Sequence, residues 1–221
     1  MHLIERRSLS DEVGHFVFHV DFEHVAGQYV ALVAELGGET QKRYYSIASA
    51  PRADRTIDLC IDIRGDFGQY LNALAVGAEV SAEGPAGKMC LLGARNSAVY
   101  FASGTGIAPV RAIIQAHLAE NPDANARLYF GARHSKNLFF RDEFEALAER
   151  HLNFQFWPTV SGDDADWSGR RGRVLAHLED ALKGGEDLDA YFCGQRELVD
   201  QLKTDLTAAG IPDERQSYER Y

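Results

Sequence analysis

The sequence predicts two unlike halves, a six-stranded antiparallel β-barrel followed by an α/β half built on a parallel sheet. The first part of the chain carries short β-rich runs between turn signals and has little helical periodicity. Further along, strand-like runs alternate with helical ones, which is typical of a parallel sheet with helices on both faces. We place the boundary between residues 94 and 95, where Gly93-Ala94-Arg95-Asn96 interrupts both patterns.

The N-terminal half, residues 1–94, contains β-rich runs and one short helical run. Tyr70, Leu71 and Leu74 fall on one face of a helix that we predict at 69–74. The predicted strands of the barrel include 16–20, 28–35, 43–48, 56–63 and 79–83.

The C-terminal half, residues 95–221, repeats a strand, a turn and a helix several times. Parallel strands need such helical crossovers, so the alternation predicts a parallel sheet. The predicted strands are 98–102, 127–131, 153–160 and 189–193, and the predicted helices are 112–118, 143–150, 174–182 and 197–209.

Composition excludes several classes of function. A net charge of −10 speaks against nucleic acid as the main partner, because a phosphate backbone needs a basic face. The three cysteines, Cys60, Cys90 and Cys193, are widely separated and odd in number, which favours neither a disulfide framework nor a metal site. No apolar run approaches the roughly 20 residues of a membrane span, and the first residues lack a secretory apolar core. We therefore expect a cytoplasmic protein with no membrane partner.

The segment Arg43-Tyr44-Tyr45-Ser46-Ile47-Ala48-Ser49 combines a cation, aromatic rings and a small hydroxyl. Arg43 could grip a phosphate, Tyr45 could lie against a flavin ring, and Ser46 could donate to the ring's N5 edge. An ordinary aromatic edge strand explains the segment equally well. Because side chains alternate, Arg43 and Tyr45 share one face and Ser46 the other, so the strand must twist around the ring for all three to touch it.

The segment Ser103-Gly104-Thr105-Gly106-Ile107-Ala108-Pro109 stands directly after a predicted strand and before a predicted helix. Its glycines would let the backbone approach a pyrophosphate, and the helix N-terminus would supply free amides. The third position of the usual dinucleotide fingerprint is Pro109, although proline is well tolerated in a first helical turn. A nucleotide-binding turn and a tight turn without a ligand are both open at this point.

Taken in order, the motifs resemble those of the ferredoxin–NADP reductase family: an R-x-Y-S strand, then Gly84-Pro85-Ala86-Gly87, then the G-T-G-I-A-P turn. The resemblance runs nearly end to end and implies an FAD-binding domain over 1–94 and an NAD(P)-binding domain over 95–221, with the last tyrosine at the flavin. The segment Gly65-Asp66-Phe67-Gly68-Gln69-Tyr70-Leu71 is similar to the family's pyrophosphate loop, with Gly68 in place of a serine. Its presence favours FAD over FMN. The residues that the resemblance assigns to FAD are Arg43, Tyr44, Tyr45, Ser46, Cys60, Ile61, Phe67, Gly68, Gln69, Thr105 and Tyr221.

The resemblance also implies a nicotinamide nucleotide at the carboxyl edge of the parallel sheet. Family members that use NADPH typically carry a Ser-Arg pair, whereas this chain has Ser161-Gly162-Asp163-Asp164, whose acidic residues would repel a 2′-phosphate. We therefore favour NADH over NADPH, although Arg133, Arg170 or Arg171 could compensate. The residues assigned to the nicotinamide nucleotide are Gly104, Thr105, Gly106, Pro109, Arg133, Ser161, Cys193, Gly194 and Gln195.

For catalysis the resemblance implies hydride transfer to flavin N5 and then single electrons to a separate small redox protein, expected to be a ferredoxin. Ser46 would hydrogen-bond near N5, Cys193 would shape the nicotinamide pocket, and Glu219 would stabilise charge or relay a proton. Tyr221 would cover the ring and swing aside. From the residues alone, Cys193 could be a small core residue and Tyr221 a frayed terminus. The alternative functions are a reductase that releases free reduced flavin and a non-enzymatic electron-transfer subunit.

Overall fold

A computed structural model describes residues 1–93, 96–183 and 187–221. The predicted boundary between residues 94 and 95 lies outside these ranges. None of the helices within them combines the length and the apolar character that a membrane crossing requires.

The N-terminal half consists of two three-stranded antiparallel sheets, with strand orders β1-β2-β5 and β4-β3-β6. Their apolar faces enclose a common core that includes Phe16, Leu32 and Leu59, each fully buried. The elements are β1 (His2–Ser8), β2 (Val13–His19), β3 (Tyr29–Leu36), β4 (Glu39–Ser46), β5 (Thr56–Asp62), α1 (Asp66–Ala73) and β6 (Ser81–Ala86).

Within the described chain the two sheets are joined by single bridges, Ile47 with Leu59 and His2 with Glu79, rather than by continuous ladders. The antiparallel strands of the expected barrel are thus present, and they are divided between two sheets. The predicted runs did not include β1. Leu3 is its only buried residue, so its sequence lacks the alternation that marks a half-buried strand.

The C-terminal half is a six-stranded parallel sheet of order β10-β9-β8-β7-β11-β12, as the alternating pattern predicts. Helices cover both of its faces. The elements are β7 (Ser97–Ser103), α2 (Ile107–Glu120), β8 (Asn125–Ala132), α3 (Arg141–Arg150), β9 (Phe154–Val160), β10 (Arg170–Arg171), α4 (Leu178–Ala181), β11 (Asp189–Gly194), α5 (Arg196–Ala208) and β12 (Gln216–Arg220).

Three expectations differ from the observed elements. The helix predicted at 174–182 is a 3-10 segment, Val174–His177, followed by the single turn of α4. Helix α2 starts earlier than predicted, with Pro109 in its first turn. The C-terminal residues form β12, an edge strand that the sequence did not predict because five residues with charged members show no period on their own.

The two halves share one apolar core and a buried ion pair. Ala48 and Cys60 from the first half pack in the same cluster as the inward side of α2. Arg111, on α2, lies 2.8 Å from Asp58 on β5, and the two residues are 5% and 2% exposed. Arg52, from the first half, also donates two hydrogen bonds of 2.8 Å to Asp58. Removing one member of such a pair would strand a buried charge.

We expect Asp58→Asn to lower the free energy of unfolding by about 3 kcal/mol at pH 7. Burial would raise the pKa of Asp58, but contacts from His15, Arg52 and Arg111 outweigh it and hold the pKa well below its usual range. The stabilisation is therefore complete above the unfolded pKa of about 4 and is lost as pH falls towards the folded value. Thermal melts from pH 7 downwards should show the difference between wild type and variant shrinking below about pH 4. A difference that does not depend on pH would contradict this origin.

Candidate functional site

A cleft of about 310 Å³ opens where the carboxyl ends of β11 and β12 face the end of β4. It joins the two halves of the chain, because its walls come from both. The carboxyl edge of a parallel sheet is the place where open α/β proteins bind ligands. The lining residues are Tyr29, Tyr44, Ser46, Cys193, Glu219, Arg220 and Tyr221.

Glu219 and Ser46 meet across this cleft. The parallel register of β11 and β12 sets Glu219 beside Cys193, and Ser46 Oγ donates to Glu219 Oε2 at 3.3 Å. Burial raises the pKa of Glu219, and the hydrogen bond from Ser46 acts in the opposite direction. A carboxyl group with a raised pKa, next to a hydroxyl, is suited to hold or pass a proton.

Cys193 contributes a buried thiol to the floor of the cleft. The residue is 2% exposed, and burial raises the pKa of the thiol, with the nearby Glu219 acting in the same direction. A thiol in that state remains protonated and is a poor nucleophile. Its contribution to the cleft is therefore shape and low polarity rather than covalent chemistry.

Tyr221 crosses the cleft from β11 to the glycine turn at residues 104–106. Its backbone N donates to the Gly194 carbonyl at 3.2 Å, and its hydroxyl donates to the Ser103 carbonyl at 2.8 Å. The residue as a whole is 60% exposed, yet its phenol end is packed, and this burial raises the pKa of Tyr221. The terminal tyrosine is thus tied at both ends while one ring face remains open.

The glycine turn packs directly on the neighbouring strand. A Cβ on Gly106 would lie 2.4 Å from the Cys193 carbonyl oxygen, so only glycine allows this approach. Gly104 has a φ of +53°, and a Cβ there would lie 3.1 Å from the Tyr221 hydroxyl. Thr105, between the two glycines, is half-buried, and Pro109 lies buried in the first turn of α2.

The turn leads straight into a helix. Gly104 and Gly106 carry no side chain, and α2 begins at Ile107 directly after them. Glycines before a helix N-terminus supply the space and the positive dipole that a pyrophosphate requires. The residues present therefore fit a dinucleotide phosphate at this position.

Strand β4 presents different residues on its two faces. Tyr44 and Ser46 face the cleft, whereas Tyr45 lies 6.3 Å from the ring of Phe67 on α1. Arg43 lies on that second side too, 5.8 Å above the Phe67 ring. Burial raises the pKa of Tyr45 to about 12. The expected stacking of Tyr45 on a flavin remains a prediction.

Arg43 and the start of α1 form a second place suited to phosphate. Within the described residues the Arg43 guanidinium donates only to the Lys42 carbonyl and the Gln41 side chain, with no carboxylate to balance it. Gly65, the N-cap of α1, has no side chain with which to cap the first helical amides, and those amides have no intrahelical partner. A free cation over a helix N-terminus fits the FAD pyrophosphate.

The glycine that replaces the family's serine has a packing reason. A Cβ on Gly68 would lie 2.1 Å from the Asp62 carbonyl oxygen, so α1 can sit this close to β5 only with glycine there. Its neighbour Gln69 donates to the Arg64 carbonyl at 2.9 Å. The lost hydroxyl is the consequence of this close approach.

Two further residues assigned to flavin lie away from the cleft. Ile61 is fully buried in the core between the two N-terminal sheets. Cys60 alternates to the opposite face of β5, towards α2, where burial raises its pKa to about 12. Neither side chain lines the cleft.

At the far end of the sheet edge, the loops after β8 and β9 carry the remaining candidates. Arg133 and Ser161 are exposed, as is Gln195 after β11. A Cβ on Gly162 would lie 2.4 Å from the Arg133 carbonyl oxygen, so an arginine could not replace this glycine without moving the loop. Gly194 packs equally closely, since its Cβ would lie 2.4 Å from Ser103 Oγ.

Comparison with known proteins connects this geometry to a family. Residues 1–90 match the model of the oxidoreductase FAD-binding domain, and residues 101–204 match that of the oxidoreductase NAD-binding domain. Ferredoxin–NADP reductase B of Sorangium cellulosum is 35% identical over 207 residues, covering 89% of this chain and 84% of that protein. The chain belongs to the ferredoxin–NADP reductase family. It is an oxidoreductase that uses FAD and a nicotinamide nucleotide, which confirms the resemblance seen in the motifs.

More distant relatives of this reductase serve oxygenases. The toluate 1,2-dioxygenase electron transfer component of Pseudomonas putida is 29% identical over 197 residues, covering 88% of this chain and 58% of that protein. The chain therefore spans little more than half the length of that relative. Among solved structures, the Amycolatopsis cytochrome P450 reductase GcoB superposes with a TM-score of 0.87 at 25% identity, covering 99% of this chain and 68% of that one.

Sequence reasoning missed two residues that line the cleft of the reductase, Tyr29 and Arg220. Tyr29 pairs with Ser46 across the β3–β4 hairpin, and its ring meets that of Tyr44 edge-on at 5.5 Å. The Gly37-Gly38 turn fixes this register, so the hairpin signal in the sequence could have identified Tyr29. Arg220 depends on β12, which has no comparable signal.

We expect Gly106→Ala to destabilise the reductase by about 1–3 kcal/mol and to weaken nicotinamide binding. The new Cβ would meet backbone atoms of β11, which cannot rotate away, so the turn itself must move. Gly65→Ala is the matched control, because its Cβ meets nothing within 4 Å and its φ is −83°. Since Gly65 begins the helix that fits the FAD pyrophosphate, both variants are compared at equal FAD content. Thermal melts and nucleotide titrations measure both effects. If the two variants had the same thermal stability and the same affinity for the nucleotide, the packing of Gly106 on β11 would be unimportant.

Proposed function

We propose that this reductase oxidises NADH or NADPH through bound FAD and passes the electrons singly to a separate small redox protein of the ferredoxin type. The observation that carries the proposal is the cleft in which Ser46, Glu219, Cys193 and Tyr221 converge. It lies between the segment that matches the FAD-binding model and the segment that matches the NAD-binding model. We further propose residues 1–94, folded as a flavin-binding barrel, and residues 95–221 as the two domains.

The chain's own residues have distinct tasks in this proposal. Bound FAD supplies the acceptance of a hydride and the release of single electrons. Ser46 donates a hydrogen bond towards the flavin edge and exchanges a proton with Glu219, whose raised pKa suits that task. Cys193 shapes the nicotinamide pocket, and Tyr221 covers the ring until the nucleotide replaces it.

Phosphate binding is divided between two positions outside the cleft lining. Arg43 and the first amides of α1 hold the FAD pyrophosphate. The turn Gly104–Gly106 and the start of α2 hold that of the nicotinamide nucleotide. A tightly held FAD favours electron transfer to a protein over the release of free reduced flavin.

The names of the relatives support a protein acceptor. One is a ferredoxin–NADP reductase, and another is the electron transfer component of a dioxygenase. The exposed rings of Tyr44 and Tyr221 at the mouth of the cleft leave room for a redox partner to approach.

The direct experiment is to purify the protein and reduce it without oxygen. We expect a yellow protein whose FAD survives gel filtration, bleaches with NADH or NADPH, and then reduces an added plant-type [2Fe–2S] ferredoxin. A colourless protein that reduces added riboflavin would favour the flavin-releasing alternative. Bound FAD that neither nucleotide bleaches would overturn the oxidoreductase mechanism and favour a binding subunit.

For the nucleotide we propose NADH as the preferred donor. Asp163 is exposed beside Ser161, where a 2′-phosphate would have to bind. Asp164 accepts hydrogen bonds from the Ser135 backbone at 2.5 Å and from His134 at 2.7 Å, and these lower its pKa to about 2, so it stays charged. Two negative charges at this edge disfavour a phosphate dianion.

The arginines that could compensate are largely engaged elsewhere. Arg170 pairs with Asp180 at 2.7 Å and stacks on Trp157. Arg171 donates to the Asp164 and Trp167 carbonyls. Arg133 and Arg171 are both exposed, and of the three only Arg133 makes no contact of this kind in the described chain.

We expect Asp163→Ser to raise kcat/KM for NADPH by up to roughly fivefold, the size expected for one exposed charge pair. The value for NADH should change little, because a ribose hydroxyl carries no charge. Asp123→Ser is the control, since it makes the same charge change at the opposite edge of the sheet, before β8. Steady-state kinetics with both nucleotides give the ratio. An unchanged ratio in Asp163→Ser would place the 2′-phosphate elsewhere.

We expect Tyr221→Ser to tighten nicotinamide binding, because the variant removes the ring that competes for the same cleft. The measurement is a titration of the FAD-loaded protein with oxidised nucleotide, in which a stronger charge-transfer band marks nicotinamide against flavin. If the band is the same in wild type and variant, Tyr221 does not cover the flavin.

A further inference from the structure

A buried cluster of charged side chains joins the two halves of the molecule behind the cleft. Arg111 Nη1 donates to Asp58 Oδ2 at 2.8 Å and to the Ala48 carbonyl at 2.5 Å. Its Nε and Nη2 each donate to Glu143 at 2.8 Å. With Arg52 also on Asp58, two arginines face two carboxylates in this cluster.

Phe140 belongs to the same cluster and has an unusual backbone. Its φ is +59°, a left-handed conformation that a phenylalanine rarely adopts. The ring lies 4.4 Å from the guanidinium carbon of Arg111 and meets His15 edge-on at 5.5 Å. Such strain persists only where the surrounding contacts hold it in place. The contacts of the cluster therefore hold Phe140 in this conformation.

One end of the cluster leads to the flavin strand. Ala48, whose carbonyl accepts from Arg111, lies two residues beyond Ser46. The Ala50 backbone N donates to Gln115 Oε1 at 3.0 Å, and Gln115 lies one turn beyond Arg111 on α2. Helix α2 therefore holds the chain just past Ser46 at two points.

The other end leads to the nucleotide turn. Helix α2 begins directly after Gly104–Gly106, and Arg111 follows Gly106 by roughly 7.5 Å of helix. The carbonyl of Ser103, directly before the turn, accepts a hydrogen bond from the Tyr221 hydroxyl. A single helix thus connects the place where the nicotinamide nucleotide binds to the strand that carries Ser46.

We propose that Arg111 is a positioning residue for hydride transfer, which fixes Ser46 and the flavin strand relative to the glycine turn and Tyr221. The inference rests on the proposed function, since it concerns the distance between two nucleotides. An arginine is required because its planar fork satisfies two carboxylates and a carbonyl in fixed directions, which an ammonium group cannot do. Misplacement by about 1 Å can slow a reaction on the order of a hundredfold.

Three variants separate positioning from stability. Arg111→Gln removes the contact between the halves, and Gln115→Met removes the milder second contact. Arg52→Gln is the control. It removes an ion pair from the same carboxylate, Asp58, but Arg52 belongs to the first half, as Asp58 does. Each FAD-loaded protein is reduced by saturating NADH or NADPH in a single anaerobic turnover. Amide hydrogen exchange over residues 46–50, without nucleotide, gives a readout that does not need turnover, and thermal melts measure stability.

Positioning predicts that Arg111→Gln slows flavin reduction ten- to a hundredfold and speeds exchange over residues 46–50. Gln115→Met should do both to a smaller extent, and it keeps the test valid if Arg111→Gln does not fold. Arg52→Gln should lose thermal stability while its reduction rate and its exchange over residues 46–50 stay within about twofold of wild type.

Rate losses that simply follow the losses in thermal stability across all three variants would overturn the proposal. So would a folded Arg111→Gln variant that is reduced at the wild-type rate. If neither nucleotide bleaches wild-type FAD, it is the proposed function that fails. Exchange then decides alone, and unchanged exchange in Arg111→Gln or Gln115→Met would overturn the coupling.

Discussion

The buried pair of Arg111 and Asp58 is the interaction on which the arrangement of this reductase depends. Each residue comes from a different half of the chain, and each is almost fully buried. A charge in that position is tolerable only with its partner in place, so the pair permits one relative position of the halves. The strained Phe140 and the shared apolar core reinforce the same position. The cleft is a consequence, since its walls belong to both halves.

A second constraint is the close approach of backbone to backbone at the glycine turn. Gly106 sits against the Cys193 carbonyl with no room for a side chain. The same strand, β11, holds β12 in parallel register on its other side and so brings Glu219 next to Cys193. The glycine turn packs against one side of β11, and β12 pairs with its other side. Together these contacts place Cys193 and Glu219 side by side in the cleft.

The electrostatics of the cleft follow from its burial. The pKa values of Glu219, Cys193 and Tyr221 are all raised, because burial disfavours each charged form. Burial thus disfavours negative charge in the lining. Positive groups lie outside it, at Arg43 on the other face of β4 and at the N-terminus of α2. Positive positions on either side of such a lining suit the phosphates of two dinucleotides.

The sequence by itself determined the division into an antiparallel half and a parallel half, and the glycine turn. Periodicity separates the two halves because it reports which faces are buried. Ser46, Cys193, Glu219 and Tyr221, which line the cleft, were assigned through the resemblance of the motifs to the family. The tertiary structure decided what periodicity cannot contain. It pairs the edge strand β12 with β11, turns Tyr44 rather than Tyr45 to the cleft, and sets Cys60 against α2. The tertiary structure also decides the Arg111–Asp58 pair. These two buried charges are 53 positions apart in the sequence and meet only after both halves have folded.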